Sequence, residues 1–212
     1  MPLVLAEAEE KRANRFFFPH HQRRFRVAHL TLRVILAHYL NKPIQSIVYE
    51  CNRHGKPFLS NTPLLQFNLS HSEDSALLAI GLSAPMGIDI EYFSAREYAG
   101  IVKNLYSLEE QVAWNKLSSF LQTLSFFHIW AQKEAFIKAV GMGLAYPTET
   151  FTTPVLPYAA PFPIRDSLHG QAWQLLSFMP EIKCSAALCC VPSIKQIRYI
   201  RLNHLMSSRI AR

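Results

Sequence analysis

Three shortages narrow the chemistry of this 212-residue chain. Cysteine is scarce: only Cys51, Cys184, Cys189 and Cys190 occur, with no Cys-x-x-Cys pair. Adjacent Cys189 and Cys190 suit neither zinc-ligand spacing nor a disulfide framework. The last three cysteines lie in an apolar, strand-like run and read as buried free thiols of a reduced protein. Long apolar runs are also missing. None approaches the ~18 residues that span a membrane, and the N-terminal Met1–Leu5 turns acidic too soon for a signal peptide. A cytoplasmic protein is expected. The third shortage is acid. No Asp or Glu occurs between Glu10 and Glu50, where Lys11, Arg12, Arg15, Arg23, Arg24, Arg26, Arg33 and Lys42 fall.

That shortage shapes the whole chain. With 22 basic and 15 acidic residues the formal charge is +7, and the pI is near 9.4. Such a balance suggests an anionic partner: nucleic acid, a membrane surface, a phosphorylated cofactor or an acidic protein. Half the residues are hydrophobic, which marks a globular chain with ample material for a core.

Taken in order, Phe25, Ala28, Leu32, Ile35 and Leu36 recur at helical spacing and predict an amphipathic helix over residues 20–40 with a basic start. Most of its arginines, taken singly, read as a solvated face. His20 and His21 lack partner spacing for a metal. Pro43 ends the helix. Ile44–Tyr49 read as a strand, and Asn52–Pro57 as a turn in which Gly55 permits close backbone approach and Lys56 can point at a phosphate. Leu64–Leu69 and Ala76–Ile80 read as strands. Between them, Ser70, His71 and Ser72, with Asn68, present hydroxyl, imidazole and amide groups at a strand end. No Gly-x-Ser-x-Gly elbow accompanies them, so a phosphate-binding loop suits them better than a nucleophilic triad.

Gly87–Glu91 has strand periodicity. Ile88 and Ile90 face one side, and Asp89 and Glu91 face the other, about 6–7 Å apart by strand rise. Two carboxylates on one strand face repel without a cation between them, whereas a magnesium ion uses hard oxygen ligands of this kind. Ser107–Glu110 is a capping box that begins a helix to about Phe120. A second helix covers Leu121–Val140. On it Trp130, Glu134 and Lys138 stack along one face, with Lys133 beside them and Gln132 facing away. A Glu four residues before a Lys is an ordinary surface pair, worth about 0.3–0.5 kcal/mol, or else a metal-and-phosphate site. The proline-rich 146–166 segment reads as an irregular loop over a site. Strands are expected at Trp173–Phe178, Cys184–Val191 and Gln196–Leu202, followed by a frayed basic tail at Arg209 and Arg212. The element order permits a pseudo-duplicated α+β protein, each half a helix packed on a small antiparallel sheet, with halves at 1–92 and 93–212.

The segments Phe67–Ser72, Gly87–Glu91 and Trp130–Lys138, in this order and with the Gly55-Lys56-Pro57 turn as a fourth motif, resemble the 4'-phosphopantetheinyl transferases. The likeness is to their longer, monomeric (surfactin-synthetase-activating) type and runs from about Phe16 to Leu144. It implies transfer of 4'-phosphopantetheine from coenzyme A to a serine of an apo carrier protein, leaving adenosine 3',5'-bisphosphate, in a cleft between two α+β halves. It also implies a magnesium ion held by Asp89, Glu91 and Glu134. Lys138 matches the family's phosphate-contacting lysine, and Lys56, Ser70 and His71 its coenzyme A contacts. Glu134, Lys138 and His71 are the catalytic candidates, with Glu134 as base for the serine proton. The implied partners are coenzyme A and an acidic carrier, with no nucleic acid or membrane. One departure is Gln22, where the family often carries an acid, and no single arginine is assigned to the 3'-phosphate. Two other readings stand beside this one: a magnesium-dependent phosphohydrolase using the same acids, and a basic nucleic-acid-binding module using Arg23, Arg24 and Arg26.

Overall fold

The computed structural model describes residues 5–202 except Arg96. Its contacts gather into two compact units. One holds the described residues up to Val48 together with those from Ser193 onward, and the other is Tyr49–Pro192. The expected basic tail at Arg209 and Arg212 and the reading of Met1–Val4 lie outside the described residues.

The first unit is a helical hairpin of α1 (Glu7–Ala13) and α2 (Pro19–Leu40). Proline at the first position of α2 costs no hydrogen bond, and Asn41 ends the helix in the left-handed region at φ 50°. Phe25, Ala28, Leu32 and Leu36 are buried on the predicted face. Much of the basic run is structural. Arg33 is buried, ion-paired to Glu9 at 2.6 Å, and donates to the Ile47 carbonyl at 2.7 Å. Arg26 pairs with Glu10 at 2.8 Å and bonds Asn14 at 2.5 Å. Gln22, the departure noted above, donates to the Phe16 carbonyl at 2.9 Å.

The strand expected at Ile44–Tyr49 is not formed. Ile44–Ser46 make a 3-10 turn in which the Ser46 amide and hydroxyl both bond the Pro43 carbonyl, so local bonding wins over extension. The strand expected at Gln196–Leu202 is also absent. Tyr199, Ile200 and Leu202 are all exposed, so the segment has no buried face to reward pairing.

The second unit is α+β. A short ribbon of β1 (Glu50–Cys51) and β2 (Pro57–Phe58) flanks the turn at Asn52–Lys56. The hairpin β3 (Leu65–Ser72) and β4 (Ser75–Leu82) is followed by β5 (Met86–Tyr92). Helices α3 (Ala99–Leu105), α4 (Leu108–Asn115) and α5 (Ser119–Val140) come next, then β6 (Phe162–Arg165), β7 (Ala172–Phe178) and β8 (Cys184–Cys190). Helix α4 starts on the predicted capping box, with Ser107 Oγ accepting from the Glu110 amide at 3.2 Å and Glu110 accepting from the Ser107 amide at 2.8 Å. It stops at Asn115 rather than Phe120, because the chain turns extended at Ser118, the N-cap position of α5.

The main sheet is antiparallel in the order β5-β8-β7-β6. Asp89 lies opposite Ala187 and Glu91 opposite Ser185. Helix α5 lies across β5 and β8. Ala131, Ala135, Phe136 and Ala139 bury against Trp173, Leu175, Ala187 and Cys189. Small alanines on this face let the helix approach closely, and Gly87 marks the nearest point. A Cβ there would stand 2.1 Å from the Ala135 carbonyl oxygen and 2.3 Å from the Ala139 amide nitrogen. All three C-terminal cysteines are buried free thiols, as expected.

Candidate active site

Ser70, His71 and Ser72 do not form a loop. They end β3, and strand alternation decides what each can do. Asn68, Ser70 and Ser72 share one face, toward β5. Asn68 Oδ1 accepts from the Ile88 amide at 2.7 Å, and Ser72 Oγ accepts from the Tyr92 amide at 3.1 Å. Side chains of β3 thus satisfy edge amides of β5 that a ladder would otherwise pair. Between those two bonds, Ser70 Oγ donates to Asp89 Oδ1 at 2.8 Å. His71 takes the opposite face and is exposed.

Helix α5 completes the cluster. Its turn spacing aligns Trp130, Glu134 and Lys138 along β5. Lys138 Nζ lies 2.5 Å from Asp89 Oδ1 and 3.1 Å from Ser70 Oγ. Trp130 Nε1 donates to Glu91 Oε1 at 3.1 Å. Burial raises the pKa of the Asp89 carboxyl, opposed by Lys138 and Ser70, and its Oδ2 is buried with no hydrogen-bond partner among the described residues. Burial also lifts Glu134 to about 7. Lys138 lowers it and the Asp89 charge raises it further. For Lys138, burial disfavours the ammonium, but Asp89, Glu134 and Glu91 overcome that and raise its pKa. The arrangement is a lysine flanked by three carboxyl groups, one of them balanced near neutrality. It can hold a cation on its acids, neutralise a phosphoryl oxygen with its lysine, and accept a proton at Glu134. Among the described residues, no three His, Cys, Asp or Glu side chains already converge as a metal cluster.

The predicted residues therefore divide. Ser70, Asp89 and Lys138 bond one another, Glu134 couples to them through charge, and Glu91 is held by Trp130. Lys56 reaches the same strand and helix, but its ammonium donates to the Met86 and Ala139 carbonyls, each at 3.0 Å. Burial lowers its pKa to about 8. Lys133 does not share the Trp130–Glu134–Lys138 face. It is buried on the far side against Glu110 at 2.9 Å and donates to the Thr148 and Phe151 carbonyls. Gln132 faces away as expected, bonding the His128 and Pro154 carbonyls.

Sequence reasoning missed the roles of Asn68 and Ser72 in bracing β5. The Asn-x-Ser-x-Ser spacing, with its period of two, carried that information. Nothing local announced Glu110 as the partner of Lys133, twenty-three positions away.

An acidic strand crossed by a helix carrying Glu and Lys, braced by a polar hairpin, has the groups that phosphoryl transfer would use, on an α+β scaffold. Comparison with known proteins specifies it further. The family model of the 4'-phosphopantetheinyl transferase superfamily matches residues 85–177, and that of the 4'-phosphopantetheinyl transferase N-terminal region matches residues 2–82. The 4'-phosphopantetheinyl transferase HetI of Nostoc sp. is 34% identical over 194 residues, covering 87% of this chain and 78% of its own. The 4'-phosphopantetheinyl transferase psf-1 of Bacillus pumilus is 37% identical over 145 residues, 68% of this chain and 61% of its own. The mouse L-aminoadipate-semialdehyde dehydrogenase-phosphopantetheinyl transferase is 32% identical over 164 residues, 70% of this chain and 52% of its own. The chain belongs to the 4'-phosphopantetheinyl transferase superfamily.

Proposed function

We propose that this chain transfers the 4'-phosphopantetheine group of coenzyme A to a serine of an apo carrier protein, and that Asp89, Glu134 and Lys138 carry the chemistry. The observation behind this reading is the Ser70–Asp89–Lys138 cluster with Glu134 beside it, inside the segment that matches the superfamily. The serine oxygen attacks the phosphorus that bears the pantetheine arm. The bond from that phosphorus to the bridging pyrophosphate oxygen breaks, and adenosine 3',5'-bisphosphate leaves with the electron pair. Glu134, with a pKa of about 7, is suited to take the serine proton. Lys138 neutralises charge on the departing phosphate. Trp130 holds Glu91 in place through its indole N–H.

The acids fit a magnesium ion. Asp89 Oδ2 is a buried oxygen without a hydrogen-bond partner among the described residues, and Glu134 is destabilised by the Asp89 charge, so a cation would relieve both. Asp89, Glu91 and Glu134 are the residues that would hold it. Bound there, it would supply charge neutralisation at the pyrophosphate. An acidic carrier is supported by the formal charge of +7. Monomeric state and a cytoplasmic setting complete the reading. Among the described residues, no helix is long and apolar enough to cross a membrane. The comparisons give no support to the phosphohydrolase or nucleic-acid-binding readings.

The test is the intact mass of an apo carrier protein incubated with the chain, coenzyme A and magnesium. One added phosphopantetheine group, prevented by a chelator, is expected. Release of inorganic phosphate without any change in carrier mass would point to the phosphohydrolase instead.

A further inference from the structure

The turn at Asn52–Lys56 makes bonds that phosphate binding does not require. Asn52 Oδ1 accepts from the His54 and Lys56 amides, both at 2.9 Å, and Gly55 closes the turn at φ +89°. Two side chains then leave the turn for the end of α5. Asn52 Nδ2 donates to the Gly141 carbonyl at 2.8 Å. Lys56 Nζ donates to the Ala139 carbonyl at 3.0 Å and, in the other direction, to the Met86 carbonyl at 3.0 Å. Ala139 and Gly141 lie at the C-terminus of α5, where carbonyls lack partners within the helix and the dipole favours a cation. Met86 begins β5. A single ammonium therefore bridges the last turn of α5 and the first residue of β5.

That bridge sits where register matters most. Gly87 follows Met86 and is the point of closest approach between strand and helix. Lys138 precedes Ala139, and Asp89 lies three residues beyond Met86. A shift of α5 along β5 would open the 2.5 Å contact between Lys138 and Asp89.

Building on the transferase reading, we propose that Lys56, assisted by Asn52, is a positioning residue that locks the register of α5 on β5, rather than a ligand of a coenzyme A phosphate. Two of its three ammonium N–H groups are committed to the Met86 and Ala139 carbonyls, which leaves at most one for a ligand. As a positioning residue it serves both without moving. The burial that lowers its pKa is consistent with a lysine used inside the fold.

The test compares Lys56→Met, Lys56→Arg and Asn52→Ala in the full chain. Three readouts are taken: steady-state transfer to an apo carrier, coenzyme A binding by calorimetry, and amide hydrogen exchange over residues 135–141. Lys56→Met is expected to lower kcat on the order of tenfold to a hundredfold, the size expected for sub-ångström to 1 Å misplacement. The KM and Kd for coenzyme A should stay within about twofold, and the end of α5 should exchange faster. Asn52→Ala should act in the same direction but less, and it serves if Lys56→Met does not fold. Lys56→Arg, longer and planar, should restore only part of the rate. A Kd for coenzyme A raised about tenfold or more, with kcat and exchange unchanged, would overturn the proposal in favour of a phosphate contact. Unchanged behaviour in all three variants would overturn it too. Exchange at α5 reads the positioning claim even if the wild-type chain transfers nothing, so failure of the transferase reading stays distinguishable.

Discussion

Replacing Gly87 by Ala tests the closest contact in the active-site scaffold. The added methyl would meet the Ala135 oxygen at 2.1 Å, the Ala139 nitrogen at 2.3 Å and the Lys138 carbonyl carbon at 2.9 Å, whereas ordinary contact begins at 3.4 Å. All three are backbone atoms, so no side-chain rotation gives relief. Either α5 moves away from β5 by about 1 Å, or β5 distorts. Overpacking of this kind costs about 1–3 kcal/mol, and backbone opposition at three points places Gly87→Ala at the upper end. The same movement separates Lys138 from Asp89, now 2.5 Å apart. A displacement of about 1 Å is worth on the order of a hundredfold in rate. Urea denaturation should show the stability loss, and carrier-protein transfer the loss of turnover. A variant within about 0.5 kcal/mol of wild type with normal turnover would refute the claim that α5 and β5 are locked by direct backbone contact.

Other expectations follow from buried charge. Lys133→Met leaves Glu110, which is 0% exposed, without its cation, and should cost about 3–5 kcal/mol by chemical denaturation. The double change with Glu110→Leu should recover much of that loss, although Glu110 also holds the Ser107 and Thr153 amides. His128 is held neutral by burial, its pKa lowered from 6.5 to about 4. Above pH 6.5 neither the folded nor the unfolded state is protonated there. As pH falls from 6.5 toward 4 the unfolded chain takes up a proton that the folded chain refuses, so stability should drop by about 2–3 kcal/mol. His128→Gln should flatten that part of the stability profile, and an unchanged profile would contradict the assignment. In the metal-free chain a carboxyl group should titrate near pH 7, read by infrared or NMR, and that titration should vanish in Glu134→Gln.

Elements with strong periodicity were legible from sequence. Helix α2, the β5 acids and the stripe of α5 all formed where spacing placed them, because one face of each is rewarded by burial or by a shared polar cluster. Short segments were not. Ile44–Tyr49 looks extended by composition, but Pro43 and Ser46 close a turn locally. Gln196–Leu202 alternates without a surface to bury. The site was legible as a set of residue types in order, but not as bonds. Asp89, Glu134 and Lys138 could be picked out as candidates, while the direction of each side chain depends on which strand face and helix turn it occupies. Lys133 and Lys138 illustrate this. Both sit on α5 and both are lysines, yet one serves the Glu110 cap and the other the Asp89 cluster. Lys56 reads as a turn lysine able to point at a phosphate, and only the chain's return through β5 and α5 gives it two carbonyls.

The most direct test of the central claim is a time course of apo carrier protein mass with the wild-type chain and with Glu134→Gln, each checked for thermal stability. Glu134→Gln keeps the length and volume of the side chain while removing its charge and its capacity as a base. The account predicts complete conversion to the phosphopantetheinylated carrier by wild type, and a loss of at least about a hundredfold in Glu134→Gln at unchanged melting temperature, as expected for loss of a general base. Normal turnover by Glu134→Gln would contradict the account and return Glu134 to an ordinary partner of Lys138.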